Sequence, residues 1–237
     1  MISVAMASYN GEKYIKKQIS SILSNLSEID ELVISDDGST DKTIEIIESF
    51  NDKRIRLIYG DRKGVNQNFA NAISNCKGDY IFLSDQDDIW YSNKVDSVMK
   101  IFNKNKNCVL VQHNAKVVDE NGNILINSFA KHRKVRDGFL KNWMRNSYHG
   151  CCMAFKKELV INILPMPQKG CFHDQWIGLI ANLKGNTIFC DTILMEYKRF
   201  ENNASSFTHY PFRKQLKNRI IIMINIFLYA VKSNKRL

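Results

Sequence analysis

The chain has no run of about 20 apolar residues, the length a helix needs to cross a bilayer. It has no basic stretch leading into an apolar one at its start. Met1-Ile-Ser-Val is already strand-like, so a cytoplasmic protein without a secretory leader is expected. Its six cysteines (Cys76, Cys108, Cys151, Cys152, Cys171, Cys190) include no C-x-x-C pair. Reduced, buried thiols are therefore expected rather than disulfides or zinc, with adjacent Cys151 and Cys152 at a tight packing point. No G-x-G-x-x-G follows the first strand and there is no P-loop, which removes the strongest signals of dinucleotide or P-loop chemistry. With 3 prolines and no Pro/Gly/Ser-rich stretch, no linker divides the 237 residues.

Acidic residues run out before the chain does. No Asp or Glu follows Glu201, and the last 27 residues hold seven Lys and Arg. Of the net +10 this leaves +3 for the preceding 210 residues, a nearly balanced body with a basic tail. Such a tail seeks an anionic surface, either acidic lipid or nucleic acid. Within it Leu216, Ile220, Met223, Ile224, Phe227, Leu228 and Val231 form one apolar helical stripe, widened by Ile221, Ile222, Ile226 and Tyr229. Ile220–Val231 is twelve residues, too short to span. Two placements fit: a helix lying in a membrane interface, or one packed on the domain or a second subunit. The width of the stripe favours lipid over nucleic acid.

With 44% hydrophobic and 24% charged residues the chain can bury a core. Its first half alternates strand and helix. Ile2–Ala7, Glu31–Ser35, Arg54–Ile58 and 79–84 read as strands. Ile15, Ile19, Ile22, Leu23 and Leu26 mark one helix face; Ile44, Ile47 and Phe50 a second; Val65, Phe69, Ala72 and Ile73 a third; Val95, Val98, Met99 and Phe102 a fourth. Ser39 or Thr40 and Ser92 are candidate helix caps. Strands separated by such helices imply a mostly parallel sheet with right-handed crossovers. Further on, Cys108–His113 reads as a strand, and a hairpin turns at Glu120-Asn-Gly. Residues 130–147 are basic and poorly periodic, a loop with some helix. Gly150–Phe155 reads as a buried strand, Asp174–Leu183 as a helix and Thr187–Tyr197 as two short strands. The expected division is one domain over 1–205 and a basic amphipathic helix over 206–237.

Two acidic strand ends stand out. Asp85-Gln86-Asp87-Asp88 follows the apolar Tyr80–Ser84, and Asp36-Asp37-Gly38-Ser39 follows Glu31–Ser35. Open α/β sheets bind ligands at the carboxyl ends of their strands. Crowded carboxylates repel one another, and a divalent cation relieves the repulsion. Solvated, helix-capping acidic turns are the plainer alternative. Tyr9 and Asn10 at the end of the first strand could stack on and hydrogen-bond a nucleobase, or simply make a turn.

Taken together, Ser8-Tyr-Asn-Gly11, Ser35-Asp-Asp-Gly-Ser-Thr-Asp41 and Lys77-Gly-Asp-Tyr-Ile-Phe-Leu-Ser-Asp-Gln-Asp-Asp-Ile-Trp90 resemble family-two inverting glycosyltransferases. The resemblance covers about residues 1–205. Ser84–Trp90 with His173-Asp-Gln-Trp176 is similar to the rhamnosyltransferase-like branch that builds bacterial surface polysaccharides. It implies a GT-A fold: α/β, Rossmann-like, with a mostly parallel central sheet and helices on both faces. It implies that Ala7, Tyr9 and Asp37 hold the nucleobase with Asp36 close by. Asp85 and Gln86 would flank the nucleotide sugar, Asp87 and Asp85 would hold Mg²⁺ or Mn²⁺, and Asp174 would be the catalytic base. His149, Gly150, His173 and Trp176 would line the donor-sugar or acceptor pocket. The implied partners are a nucleoside-diphosphate sugar and a glycan or lipid-linked glycan at the inner membrane face, with no nucleic acid. The chemistry suits these residue types: a metal-held leaving group and one carboxylate to deprotonate the acceptor hydroxyl. Without the resemblance, Asp174 reads as a helix N-cap. Phe200 stands where the branch commonly has a metal-binding His, with His209 nearby but not aligned. A nucleotidyltransferase or a non-catalytic membrane scaffold are the rival readings.

Overall fold

A computed structural model describes residues 1–199 and 211–234. The first half winds as β1 (Ile2–Ser8), α1 (Ile15–Leu23), β2 (Glu31–Asp36), α2 (Thr43–Ser49), β3 (Ile55–Tyr59), α3 (Val65–Ser74) and β4 (Tyr80–Asp85). β5 (Ile89–Trp90), α4 (Lys94–Lys104), β6 (Cys108–Val118) and β7 (Ile124–Ile126) follow. Then come α5 (Phe129–Arg133), α6 (Phe139–Met144), a 3₁₀ turn at Gly150–Cys152 and β8 (Met153–Lys156). After a further 3₁₀ turn, α7 (Val160–Ile163), α8 (His173–Lys184), β9 (Asn186–Lys198) and α9 (Phe212–Asn234) complete the described chain.

The sheet order is β3-β2-β1-β4-β8-β6-β9-β5, with β7 hanging on β6. β3, β2, β1 and β4 are parallel, as their helical crossovers require. β8 joins antiparallel to both β4 and β6, while β9 runs parallel to β6. Alternation along the strands feeds two cores. Val4, Met6, Leu32 and Ile34 meet α1 and α2 on one face; Ala5, Ala7 and Val33 meet α3 and α8 on the other. The register aligns Ala7 with Ser35 on one side and Asp85 on the other, and Ser8 with Asp36. Both acidic strand ends thereby come to one edge of the sheet.

Several local expectations change. Thr187–Tyr197 is part of one 13-residue strand, because register shifts in the β6–β9 ladder let β9 continue past the irregularity to reach β5. Gly150–Cys152 is a 3₁₀ turn, so the strand starts only at Met153. Neither Ser39 nor Thr40 caps α2 and Ser92 does not cap α4. Lys42 and Asn93 occupy those positions without side-chain capping bonds. Ser39 is committed elsewhere, its hydroxyl donating to Asp36 Oδ2 at 2.6 Å. The basic stretch 130–147 is, as expected, a loop with some helix: most of α5 and all of α6.

α9 has two apolar faces. Ile222 and Ile226 are buried, Ile221 packs on Gly170, and Tyr229 meets the Trp176 ring edge-on while its hydroxyl donates to Asn162 Oδ1 at 2.7 Å. The docked residues are those that merely widened the stripe in the sequence. The seven-residue stripe itself, Leu216 to Val231, faces outward. Among the described residues no helix is long and apolar enough to cross a membrane. All six cysteines are unpaired.

Candidate active site

The turn after β2 is built around Asp36. Its carboxylate is fully buried and accepts from Gly38 N–H (3.0 Å), Ser39 N–H (2.7 Å), Ser39 Oγ and Ser8 Oγ (2.8 Å). Every bond locks the turn and none is left over for a ligand, so Asp36 positions its neighbour rather than facing the cleft. Asp37 is different. Oδ2 accepts from Gly64 N–H at 2.8 Å, but Oδ1 is a buried acceptor with no partner. Such an atom costs free energy until a donor meets it. Tyr9 projects from the end of β1 with 56% of its surface exposed, and Ala7 lies in the strand below it.

Gln86 ties β1 to β4 at this edge. Its amide accepts from Tyr9 N–H (2.9 Å) and donates to Tyr9 O (3.0 Å), continuing the ladder by a side chain. A Cβ on Gly11 would sit 2.3 Å from Gln86 Oε1, so a larger residue there would displace the Gln86 amide from Tyr9.

The acid ledge follows. Residues 86–87 turn, which brings the residues at its two ends together. Ligand atoms of Asp85, Asp88 and Cys151 lie within 4.8 Å of one another. The expected pair was Asp85 with Asp87; the turn instead groups Asp85 with Asp88 and leaves Asp87 beside them. Burial, and then the charge of Asp174, push the Asp85 carboxyl from 3.8 up to about 6. Burial and then Asp85 push Asp87 up to about 7. Asp88 too is raised well above the ordinary carboxylate range, by burial and then by Asp87 and Asp85. Its Oδ1 accepts from Lys198 N–H at 3.1 Å, while Oδ2 is buried without a partner. An orphaned oxygen among carboxylates held partly protonated is what a hard divalent cation would satisfy, so the donor set fits Mg²⁺ or Mn²⁺.

Lys94, which sequence reasoning passed over, stands behind the ledge. It is fully buried, donates to Cys151 O at 2.9 Å and lies 3.8 Å from the centre of the Trp90 ring. It fixes the Gly150–Cys152 turn from below. Nothing in its spacing separates it from an ordinary surface lysine in the first turn of a helix.

Across the cleft, Asp174 lies in the first turn of α8. The N-cap of that helix is Phe172, so Asp174 is not the cap. Its Oδ1 accepts from Gln175 N–H at 2.5 Å and Asn146 Nδ2 at 3.3 Å. Burial raises it to about 6 despite these bonds and the nearby Arg133. Its charge contributes to raising Asp85, so these two carboxylates lie near one another.

The remaining pocket residues divide. Gly150 faces His173, whose Nε2 a Cβ on Gly150 would approach to 2.4 Å. His173 stacks on Phe69 at 4.1 Å and both its ring nitrogens are buried without partners. His149 stacks on Phe129 at 4.4 Å with its Nε2 likewise unpartnered. Burial holds both imidazoles neutral, near 3. Trp176 corrects the expectation. It is 3% exposed, its Nε1–H is spent on Ile163 O at 2.8 Å, and it packs against α9. Three residues beyond His173, it has turned inward to the core. Phe200 and His209 lie outside the described residues.

With this geometry in view, the model of the glycosyl transferase family 2 matches residues 3–164. The chain belongs to that family. It is 31% identical to the dTDP-rhamnosyl transferase RfbG of Shigella flexneri, over 84% of this chain and 72% of that one. It is 26% identical to an Escherichia coli UDP-Glc:alpha-D-GlcNAc-diphosphoundecaprenol beta-1,3-glucosyltransferase, WfgD, over 99% of this chain and 95% of that one. Among solved structures, S. aureus TarS 1-349 with UDP-GlcNAc superposes with a TM-score of 0.74 at 19% identity, covering 94% of this chain and 66% of TarS 1-349. A Pyrobaculum calidifontis mannosyltransferase holding GDP-Man and Mn²⁺ gives 0.65 at 18% identity, covering 85% and 57%. The fold is thus GT-A, and the chain is a glycosyltransferase.

Proposed function

We propose that this glycosyltransferase moves a hexosyl or deoxyhexosyl group, with inversion, from a nucleoside-diphosphate sugar to an acceptor hydroxyl. The acceptor is a glycan or lipid-linked glycan of a bacterial surface polysaccharide: capsule, O-antigen or cell wall. The observation that carries the reading is the grouping of Asp85 and Asp88 ligand atoms within 4.8 Å at the end of β4, with Asp174 near enough for its charge to raise Asp85. The exposed Tyr9 ring offers a stacking face for the base, and the unpartnered Asp37 Oδ1 accepts a base N–H. Asp85, Asp87 and Asp88 would hold Mg²⁺ or Mn²⁺, which when bound supplies positive charge to the diphosphate leaving group. Asp174 takes the proton of the acceptor hydroxyl as that oxygen attacks the anomeric carbon from the face opposite the diphosphate. A single carboxylate there, with two neutral imidazoles, suits one displacement and hence inversion. The donor we favour is dTDP-rhamnose, on the likeness to RfbG, with UDP-glucose next on the likeness to WfgD.

The cytoplasmic face of the membrane is the proposed workplace. The outward stripe of α9 and the basic residues at both its ends suit an interfacial helix on anionic lipid. A screen of nucleotide sugars for slow hydrolysis with Mn²⁺ tests the reaction class. Release of nucleoside diphosphate is expected from one or a few donors and is expected to vanish in Asp87→Ala with the fold intact. Full turnover in that variant overturns the assignment.

A further inference from the structure

Segment 131–145 is the most cationic stretch of the body and the reaction scheme leaves it unused. Lys131, Arg133, Lys134, Arg136, Lys141 and Arg145 face a single acid, Asp137. Among the described residues none of the six makes an ion pair. Lys131, Lys134, Lys141 and Arg145 are exposed; Arg133 is half-buried 5.9 Å from the Phe129 ring centre, on the side of Asp174. Cations without ion-pair partners repel one another along the stretch, which suits it to an anion.

Its surroundings say which anion. Residues 142–146, the end of α6 and the residues after it, are bonded on both sides. Toward the proposed base, Asn146 Nδ2 donates to Asp174, and Gln175 Nε2 donates to Asn142 O at 3.0 Å. Toward α9, Trp143 Nε1 donates to Arg219 O at 3.1 Å, and Arg219 Nε donates to Met144 O at 2.9 Å. α6 also presents Leu140 and Met144, 67% and 49% exposed, with Met144 adjoining α9 through Arg219. α6 thus spans from the base region to α9, with Lys141 and Arg145 along it and Arg133 beside Asp174. A lipid-linked acceptor runs from sugar hydroxyl to diphosphate to hydrocarbon.

We propose that residues 131–145 form a subsite for the diphosphate of a lipid-linked acceptor, between Asp174 and the apolar faces of α6 and α9. This rests on the glycosyl-transfer reading and names the anionic part of its acceptor. Arg and Lys hold diphosphate oxygens by charge-assisted hydrogen bonds, and the flanking apolar faces receive the first carbons of the chain.

The test is titration of decyl diphosphate into the untagged full-length protein in EDTA, where no metal can draw the probe to the donor cleft. Wild type is expected to bind it, and to ignore neutral decyl glucoside. K131Q/K134Q/K141Q/R145Q changes only exposed side chains, and is expected to bind the probe at least ~10-fold more weakly, the loss of one or more charge-assisted bonds. Asp87→Ala is expected to bind it like wild type. No binding by wild type, equal binding by the fourfold variant, or loss in Asp87→Ala overturns the proposal. So does a fourfold variant that keeps the probe but loses phosphatidylglycerol vesicles, since the cations would then serve bulk headgroups. Donor hydrolysis by wild type without acceptor tests the glycosyl-transfer reading separately. Its absence defeats that reading whatever the probe does.

Discussion

Asp174 owes its raised pKa to burial, and that burial sets the pH at which it can serve as a base. A base must be ionised to accept a proton, so transfer is expected to fall as pH drops through about 6. Asp174→Asn is expected to lose transfer by at least ~10²-fold while donor binding persists. Near wild-type transfer would make Asp174 only a first-turn carboxylate favoured by the helix dipole. The ledge carries a second pH effect of opposite consequence. Asp85 and Asp87 are raised to about 6 and about 7 in the folded chain, so the unfolded chain ionises them first. Between the ordinary carboxylate range and those values the folded state binds more protons, and stability falls as pH rises. Mn²⁺ competes with those protons. The Mn²⁺-induced gain in melting temperature is therefore expected to grow from about pH 5 to about pH 8, which a thermal-shift series measures. A gain independent of pH would mean that the ledge is not the metal site.

At the level of elements, the approach of α8 to the segment before the 3₁₀ turn depends on Gly178. A Cβ there would lie 2.2 Å from the Tyr148 ring, and Asn182 pins that ring through its hydroxyl. Alanine is the better helix former by about 1 kcal/mol. Overpacking against a pinned aromatic costs about 1–3 kcal/mol and outweighs it. Gly178→Ala is thus expected to destabilise the protein by about 1 kcal/mol in urea unfolding, against the propensity scale, and Gly178→Ala/Tyr148→Ala to remove the clash. Unchanged or increased stability in the single variant would show that α8 can shift without cost.

For the whole molecule, α9 joins two tasks. Its inner face completes the core beside Trp176, so truncating the helix would expose that core and confuse any binding assay. Substitution on the outer face is cleaner. Ile224→Ser/Phe227→Ser/Leu228→Ser alters only exposed positions and is expected to leave melting nearly unchanged. It is also expected to lose co-sedimentation with anionic vesicles, which wild type should bind and neutral vesicles should bind weakly. If wild type sediments with neither, or the variant binds as wild type does, the outer face has another use, such as a second copy of the chain.

The parallel half of the sheet was legible because its signals are local. Period-2 and period-3.6 patterns each span a few residues, and acidic turns at strand ends follow directly from where a strand stops. Ser8–Gly11, Ser35–Asp41 and Asp85–Asp88 could therefore be placed on one sheet edge before any contact was seen. Other features depend on partners far along the chain. Asp36 and Asp37 look alike in sequence, yet Ser8 and the turn consume the Asp36 carboxylate, while Gly64 takes one oxygen of Asp37 and leaves the other open. Trp176 turns inward because α9 covers it, and Lys94 is buried because Trp90, Cys151 and Met195 enclose it. The stripe on α9 was visible as apolar periodicity, but periodicity carries no sign. Only the packing of Ile222 and Ile226 against residues far earlier in the chain decided which side was left for solvent or lipid.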